Sequence, residues 1–395
     1  MWATARSSHN IGVMATRADA VVVGGGVIGL SAAWEAAQRG LSVCVVDPAP
    51  GHGASWVAAG MLAPVTEATF GEEPLVRLAL AASDRWPGFA RRLEEAGADP
   101  GFRACGTVVV AADASDRAAV DRVLAYQQEL GLEVRRLSAS ECRALVPALS
   151  PGVRGGAAVP GDHQVDNRRL VAALLAACDA AGVRMVADRA EAVTMAGGRV
   201  TGVVLASGAP LAAGTVVVAA GAHSGGLGGV PEGVLPPVRP VKGHVVRLRG
   251  PASAPLLEQT LRGLVHGRPC YLVPRQDGTV VVGATSEERG FDLSVQAGAV
   301  HTLLDDARTL LPGVDELELV ECIAGLRPGS PDNYPWVGPT VVPGLAVATG
   351  HYRNGILFTA LTADAVATFL ERGAVPPPLD AYPPGRALEP AVHAP

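Results

Sequence analysis

The chain contains no stretch of about 20 uninterrupted apolar residues, so the sequence indicates no transmembrane helix. It also lacks a basic excess: 32 lysines and arginines face 38 acids, for a net charge of -6. That balance argues against nucleic acid as a partner. Cysteine is sparse and scattered. Cys44, Cys105, Cys142, Cys178, Cys270 and Cys322 form no C-x-x-C pair and read as buried thiols of a reducing, cytoplasmic compartment. The nine histidines show no metal-ligand spacing, and no Ser/His/Asp or Cys/His nucleophile constellation is apparent. Residues 1–17 carry two arginines but no apolar core segment, so they read as a disordered leader rather than a secretory signal, with Met14 as an alternative start.

Charge is scarce at 18%, while 49% of residues are hydrophobic. A 395-residue chain of that composition fills more than one core, and two domains are expected. Ala18 to Pro48 carries the clearest local signal. Ala20–Val23 is a short apolar strand, followed by Gly24, Gly26 and Gly29 at G-x-G-x-x-G spacing. A helix follows, with Leu30, Ala33, Trp34 and Ala37 on one face, ending at Gly40. Leu41–Val46 is a second strand, and Asp47 stands at its carboxyl end, where an acid holds a ribose hydroxyl. Gly24 suits the tight turn, Gly26 lets backbone approach a pyrophosphate, and Gly29 lets the helix pack on the strand. The free N–H groups of Val27, Ile28 and Gly29 at the helix start attract phosphate. The unit predicts an ADP-containing cofactor.

Gly51–Pro64 is a loop of small residues, suited either to lie against a flat ring or to cross the sheet edge. Leu75–Ala96 reads as an amphipathic helix kinked or broken at Pro87, and Arg117–Leu130 as another. Gly106–Ala111 is a strand, and Ser138 with Glu141 forms a capping box for a helix to Leu145. Asn167 is a candidate cap for the helix Arg168–Ala181. A strand at Val183–Ala187 and a hairpin around Gly197-Gly198 come next, and the strand Gly214–Ala220 leads into Gly221. Val238–Gly250 and Pro269–Thr285 alternate with period 2, with Asp277-Gly278 as a hairpin turn. Ala299–Leu311 is a helix, and Ile356–Leu370 is a helix whose N-terminus follows Asn354-Gly355 directly. Beyond Ala374 the Pro-rich segment reads as a tail.

The stretches ASWVAAGMLAP, GLRPGSPDNYPWVG and GHYRNGILFTA, joined to the glycine loop, resemble the FAD-dependent D-amino-acid oxidase superfamily, most closely its glycine oxidases. The resemblance spans about Asp19 to Gly373. It implies an α/β protein. Its Rossmann-like FAD domain would comprise residues 18–84, 151–234 and 323–373. An α+β substrate domain with a mainly antiparallel sheet would take 85–150 and 235–322, before the tail at 374–395. It implies hydride transfer from a small amine to flavin N5, giving the imine, then glyoxylate and ammonia, with O2 reduced to H2O2. A D-amino-acid or sarcosine dehydrogenase or oxidase of the same superfamily, with an acceptor other than oxygen, is the alternative.

The resemblance also assigns residues. Ser55, Ala58, Ala59, Gly60 and Met61, with Ala220 and Gly221, would join the glycine loop in holding non-covalent FAD. Tyr352, Arg353, Asn354, Gly355, Ile356 and Leu357 would lie beside the flavin, where bare N–H groups stabilise negative charge near N1 and O2. A helix capped for stability alone is the alternative there. Arg327 would grip the substrate carboxylate through its planar fork; the alternative is an ion pair with Asp332. Tyr271 would reach the same carboxylate or be an ordinary strand tyrosine. Arg353 would stand beside the active site or pair elsewhere. Ser286 would line the pocket where related enzymes often carry methionine. No acid or base is required of the protein, and His351 reads as a packing or hydrogen-bonding residue. The resemblance further implies a homo-oligomer, specifically a tetramer.

Overall fold

The structure, a computed structural model, describes residues 17–386. The expected leader therefore falls outside the described residues except for Arg17, and so does the candidate start at Met14.

Two eight-stranded sheets organise the chain. The first grows from the strand Ala18–Val23, which pairs in parallel with Val43–Val46 on one side and with Pro210–Val218 on the other. Leu345–Thr349 adds in parallel beyond Pro210–Val218, and Arg184–Val186 beyond Val43–Val46. All four residues of Val43–Val46 are buried, as a parallel strand covered on both faces requires. The helices Val27–Gln38, Asn167–Ala180 and Thr359–Arg372 pack on one face through Leu30, Leu170, Leu174, Leu361 and Val366. On the other face Val21, Val23, Val216, Val218 and Leu345 pack with Val203 and Trp336. The hairpin Ala190–Ala196 to Arg199–Leu205 turns on Gly197 and Gly198, both with positive φ, as a two-residue turn demands.

The second sheet runs in the order Glu318–Gly329, Arg239–Arg249, Thr279–Gly283, Arg268–Pro274, Thr260–Val265, Thr107–Ala111, Gly156–Val159, Arg135–Leu137. Every pair is antiparallel except Thr260–Val265 with Thr107–Ala111. Val246, Leu272, Val280 and Val282 point toward the helix Ala297–Leu310. Val245, Val273 and Val281 point the opposite way and pack on Val57 and Ala59 of the Gly51–Pro64 loop. This alternation decides which residues of the second sheet look at the first domain.

Several expectations need correction. The helix expected to kink or break at Pro87 is broken just before it, into Glu73–Ser83 and Trp86–Glu95, so that Pro87 lies in the first turn of the second, where its missing N–H costs nothing. Asp166, not Asn167, caps the helix at 167, accepting from the N–H groups of Arg168 and Arg169. The last long helix begins at Thr359 rather than Ile356, because the chain first winds through a tighter 3-10 turn at Tyr352–Asn354. Of the expected tail at 374–395, residues 387–395 lie outside the described residues, and 374–386 are no loose tail: Leu379 is fully buried, and Arg386 pairs with Asp332 at 2.8 Å. The sheets also cut the chain differently from the expected boundaries. Gly156–Val159 and all of Glu318–Gly329 belong to the second sheet, and Trp86, Phe89 and Leu93 join the first core.

Candidate cofactor and substrate site

The glycine loop sits at the carboxyl end of Ala18–Val23, where ligands bind in open α/β sheets. Gly24 has φ +110, and a Cβ there would lie 2.4 Å from the Ala219 carbonyl oxygen. A Cβ on Gly29 would come within 1.9 Å of the Gly24 oxygen, so the helix can lie this close only with glycine. Asp47 accepts from the N–H of Gly25 at 2.6 Å and of Ala49 at 2.7 Å, which sets its carboxylate against the loop. The Ser55 hydroxyl accepts from the N–H of Val27 at 3.0 Å. Among the described residues, the N–H groups of Gly26, Ile28 and Gly29 have no protein acceptor. This is a donor-lined cradle at a helix start, and it fits a pyrophosphate.

The loop carrying Ser55, Ala58, Ala59, Gly60 and Met61 is fastened by its carbonyls. Buried Asn167 donates to the carbonyls of Ser55 at 2.9 Å and Trp56 at 2.8 Å, which explains why Asp166 is left to cap the helix. Arg275, from the strand side of the second sheet, donates to the Ala59 carbonyl at 2.5 Å and to Gln164 at 2.7 Å. The side chain of Asn167 also accepts from Arg247 at 3.0 Å. Both arginines are about as buried as core leucines, 5% exposed each. A Cβ on Gly60 would strike the Val165 carbonyl oxygen at 2.0 Å. The loop thus keeps one backbone edge bound and the other edge toward the sheet face that bears Tyr271. Ala220 and Gly221 follow the strand Pro210–Val218, with the Gly221 carbonyl accepting from Ser224 at 2.8 Å and from Thr349 at 3.2 Å.

Arg327, Tyr271 and Arg275 all project from the loop-facing side of the second sheet, as the pairings Val241 with Arg327 and Tyr271 with Gly283 require. Arg327 donates to the Thr285 carbonyl at 3.1 Å and grazes that of Lys242 at 3.5 Å. It makes no ion pair among the described residues, and Asp332, the alternative partner, is held by Arg386. The guanidinium lies over Gly243, where a Cβ would be 2.3 Å from Nη1. The Tyr271 hydroxyl lies over Gly283 in the same way, at 2.4 Å. Burial pushes the Tyr271 phenol above its ordinary value, against the pull of Arg327.

Sequence reasoning missed two charged neighbours. Glu67 pairs with Arg262 at 2.5 Å and lies 3.9 Å from Arg353. Burial works to raise its carboxyl, but Arg262, Arg353 and Arg327 overcome it and hold Glu67 below the ordinary glutamate range. Nothing in the local pattern around Thr66-Glu67 marks it; only the fold brings it to Arg327. The glycines Gly243 and Gly283 did carry a signal, since a glycine inside an apolar strand often marks a close approach.

Of the remaining candidates, Arg353 stays beside Glu67. Arg353 is exposed and lies over the Tyr352 ring at 5.2 Å, with Tyr352 itself at φ 46. Asn354 gives its carbonyl to the N–H of Phe358 at 2.8 Å, while the N–H groups of Gly355, Ile356 and Leu357 find no protein acceptor among the described residues. Ser286 is exposed and makes no side-chain hydrogen bond there. His351 is buried and bonds Thr362 at 3.0 Å; burial drives its imidazole down to about 3, which removes it as a base. Cys322 packs under the helix Ala297–Leu310, on the face away from the loop.

Residues 19–368 match the family described as DAO, FAD dependent oxidoreductase. The chain belongs to that family. Its members depend on FAD, and the glycine cradle fits that cofactor's pyrophosphate. This oxidoreductase is 36% identical over 363 residues to a glycine oxidase of Geobacillus kaustophilus, covering 91% of this chain and 94% of that one. It is 34% identical to the bifunctional protein ThiO/ThiG of Synechocystis, covering 95% of this chain but only 55% of the relative. The chain therefore spans about half the length of that fused protein. The crystal structure of the Geobacillus kaustophilus glycine oxidase superposes with a TM-score of 0.86 at 34% identity, covering 94% of this chain and all of that one.

Proposed function

We propose that this FAD-dependent oxidoreductase oxidises glycine and similarly small amines, sarcosine, D-alanine and D-proline among them. The observation that carries this reading is the guanidinium of Arg327 beside Tyr271, bonded to peptide carbonyls but to no acid among the described residues, on the sheet face that packs against the Ser55–Met61 loop. A planar fork with no carboxylate of its own suits the carboxylate of an amino acid. The similarity to curated glycine oxidases over nine-tenths of the chain supports the same reading.

Bound FAD supplies the two-electron acceptor; the protein supplies placement. Arg327 and Tyr271 would hold the substrate carboxylate, and the loop pinned by Asn167 and Arg275 would bound the other side. The α-carbon loses hydride and the amine nitrogen a proton, which leaves a carbon–nitrogen double bond. With glycine, water then adds to release glyoxylate and ammonia, and O2 takes the two electrons as H2O2. The amine must enter unprotonated, and no side chain need act as base: burial makes the His351 imidazole a far weaker base than usual, and its Nε2 is bonded to Thr362. The imine fits the supply of the thiazole of thiamine. Orientation accounts for the protein's part in the rate.

The test is an anaerobic titration of the purified yellow protein with glycine, followed by peroxide measurement in air and a dye-acceptor assay. Bleaching with glycine and stoichiometric peroxide support the oxidase. Bleaching with dye turnover but no peroxide would give a dehydrogenase, and no bleaching with any of the four amines would end the reading.

A further inference from the structure

Lys242 is the chain's only lysine among its 32 lysines and arginines, and its side chain is entirely buried. It lies on the strand Arg239–Arg249, one residue from Gly243, and points to the face opposite Arg327. The ammonium donates to Asp292 at 2.7 Å and to Gln296 at 3.0 Å. The backbone is tied to the same segment, since Lys242 and Glu287 exchange N–H to carbonyl bonds of 2.9 Å in both directions. Next along the strand, the N–H of His244 donates to the Thr285 hydroxyl at 3.0 Å.

Other ties reach segment 285–296 as well: the Thr285 hydroxyl bonds His244 Nδ1 at 2.7 Å, Arg239 pairs with Glu288, and the His223 ring stacks on Phe291 at 4.8 Å. The segment's large apolar side chains face outward: Phe291 is 56%, Leu293 54% and Val295 41% exposed. Among the described residues no apolar core anchors it, so polar ties carry most of the load, and those of Asp292 and Gln296 converge on Lys242. A fully buried ammonium is costly unless its partners are fixed, and an apolar residue of similar volume would fill the space without that cost. In a chain that uses arginine at every other basic position, a compact point charge on a thin stem is what a closed site can hold. The consequence for the site lies at Thr285, the first residue of the segment. Its carbonyl is the firmer of the two acceptors for the Arg327 guanidinium.

We propose that Lys242 is a positioning residue for carboxylate recognition: through Asp292 and Gln296 it fixes segment 285–296, and the Thr285 carbonyl of that segment orients Arg327. The inference rests on reading Arg327 as the group that binds the substrate carboxylate. Lys242→Met keeps the stem and removes the charge, leaving Asp292, already partly exposed, to water.

The probes are acetate and glycolate, whose dissociation constants are read from the change they cause in the visible flavin band of the holoenzyme. Lys242→Met should raise both constants and the glycine KM about tenfold or more, the loss expected for a charged hydrogen-bonded tie. FAD affinity should hold, and kcat at saturating glycine should stay within about threefold. Asp292→Ala, on the exposed partner, should give the same split, and the double variant should be no worse than the poorer single one. It carries the test if Lys242→Met does not fold. Unchanged carboxylate binding in whichever of the two folds, or parallel weakening of FAD and carboxylate, overturns the proposal. Arg327→Leu separates the two levels. If it too leaves carboxylate binding unchanged, the reading of Arg327 has failed; if it alone weakens binding, only the role of Lys242 has.

Discussion

Replacing Arg327 with leucine is the sharpest perturbation of the proposed site. In the protein alone, the guanidinium donates to two peptide carbonyls, at 3.1 and 3.5 Å, and among the described residues to no acid. Its remaining N–H groups are therefore available to a ligand carboxylate. Truncating one partner of a buried charge pair costs about 2–5 kcal/mol. Arg327 is only half-buried and shares its surroundings with the Glu67 carboxylate, so the lower part of that range applies. A loss of about 2–3 kcal/mol corresponds to a glycine KM raised about 30- to 150-fold. FAD should stay bound, because Arg327 makes no contact with the glycine cradle. Arg327→Lys keeps the charge but not the fork, and should fall between the two. Glycinamide lacks the carboxylate, and its binding should be nearly indifferent to either change. Steady-state kinetics, with anaerobic titration of the flavin spectrum by both ligands, reads all of this. A KM rise below about threefold, or equal weakening of glycine and glycinamide, would remove Arg327 from carboxylate recognition.

Gly243→Ala would place a methyl 2.3 Å from the Arg327 Nη1, so the flexible guanidinium must move while the strand persists. The glycine KM should rise about tenfold with little change in thermal midpoint, and an unchanged KM would mean the guanidinium position is immaterial. Arg275→Met strips the donor from the Ala59 carbonyl and should weaken FAD binding about tenfold, measured by ultrafiltration of the holoenzyme. His351 stays neutral in the folded protein down to about 3, while the unfolded imidazole protonates near 6.5. The unfolded chain therefore holds more protons between those values, and stability falls as pH drops through that window. From pH 7.5 to 5.5 the loss is about 1.4 kcal/mol, and His351→Gln should remove that share from the difference in urea unfolding; an unaltered difference would place the acid sensitivity elsewhere.

What the sequence made legible was local. The strand, glycine turn, helix and second strand at the start of the sheet announce themselves within about thirty residues, and the hairpins turn where glycine permits positive φ. The errors came where a distant partner decided a local choice. Asp166 and Asn167 are equally good caps on paper; Asn167 is drawn away because two loop carbonyls 111 and 112 residues distant need its amide. The segment after Ala374 is poor in apolar residues, yet Arg386 stacks 3.5 Å over the Trp336 ring and takes Asp332. The apolar period through Ile356 continues the helix pattern upstream, but Thr359 bonds back to Ile356 in a 3-10 step, so the regular ladder begins later. Glu67 and Arg262 were invisible for the same reason: each is an ordinary surface charge until the fold puts them beside Arg327.

The proposed substrate groups follow from strand parity more than from any motif. Arg327 and Ile323 share a face because they lie four apart on one strand; Val241, Gly243 and Val245 share it across the pairing, and Tyr271 joins through Gly283. A slip of one residue in Glu318–Gly329 would turn Arg327 toward the helix Ala297–Leu310 and bury a guanidinium among leucines. Gly325 helps to prevent that slip. A Cβ there would lie 2.9 Å from Val57, so only glycine lets the loop close onto the sheet in this register. The same small residue thus serves both sides: it admits the loop that Asn167 and Arg275 hold, and it fixes the strand that carries Arg327 two residues on. Recognition of a carboxylate depends on that register before it depends on any charge, because an arginine displaced to the other face would bring the right chemistry to the wrong side of the sheet.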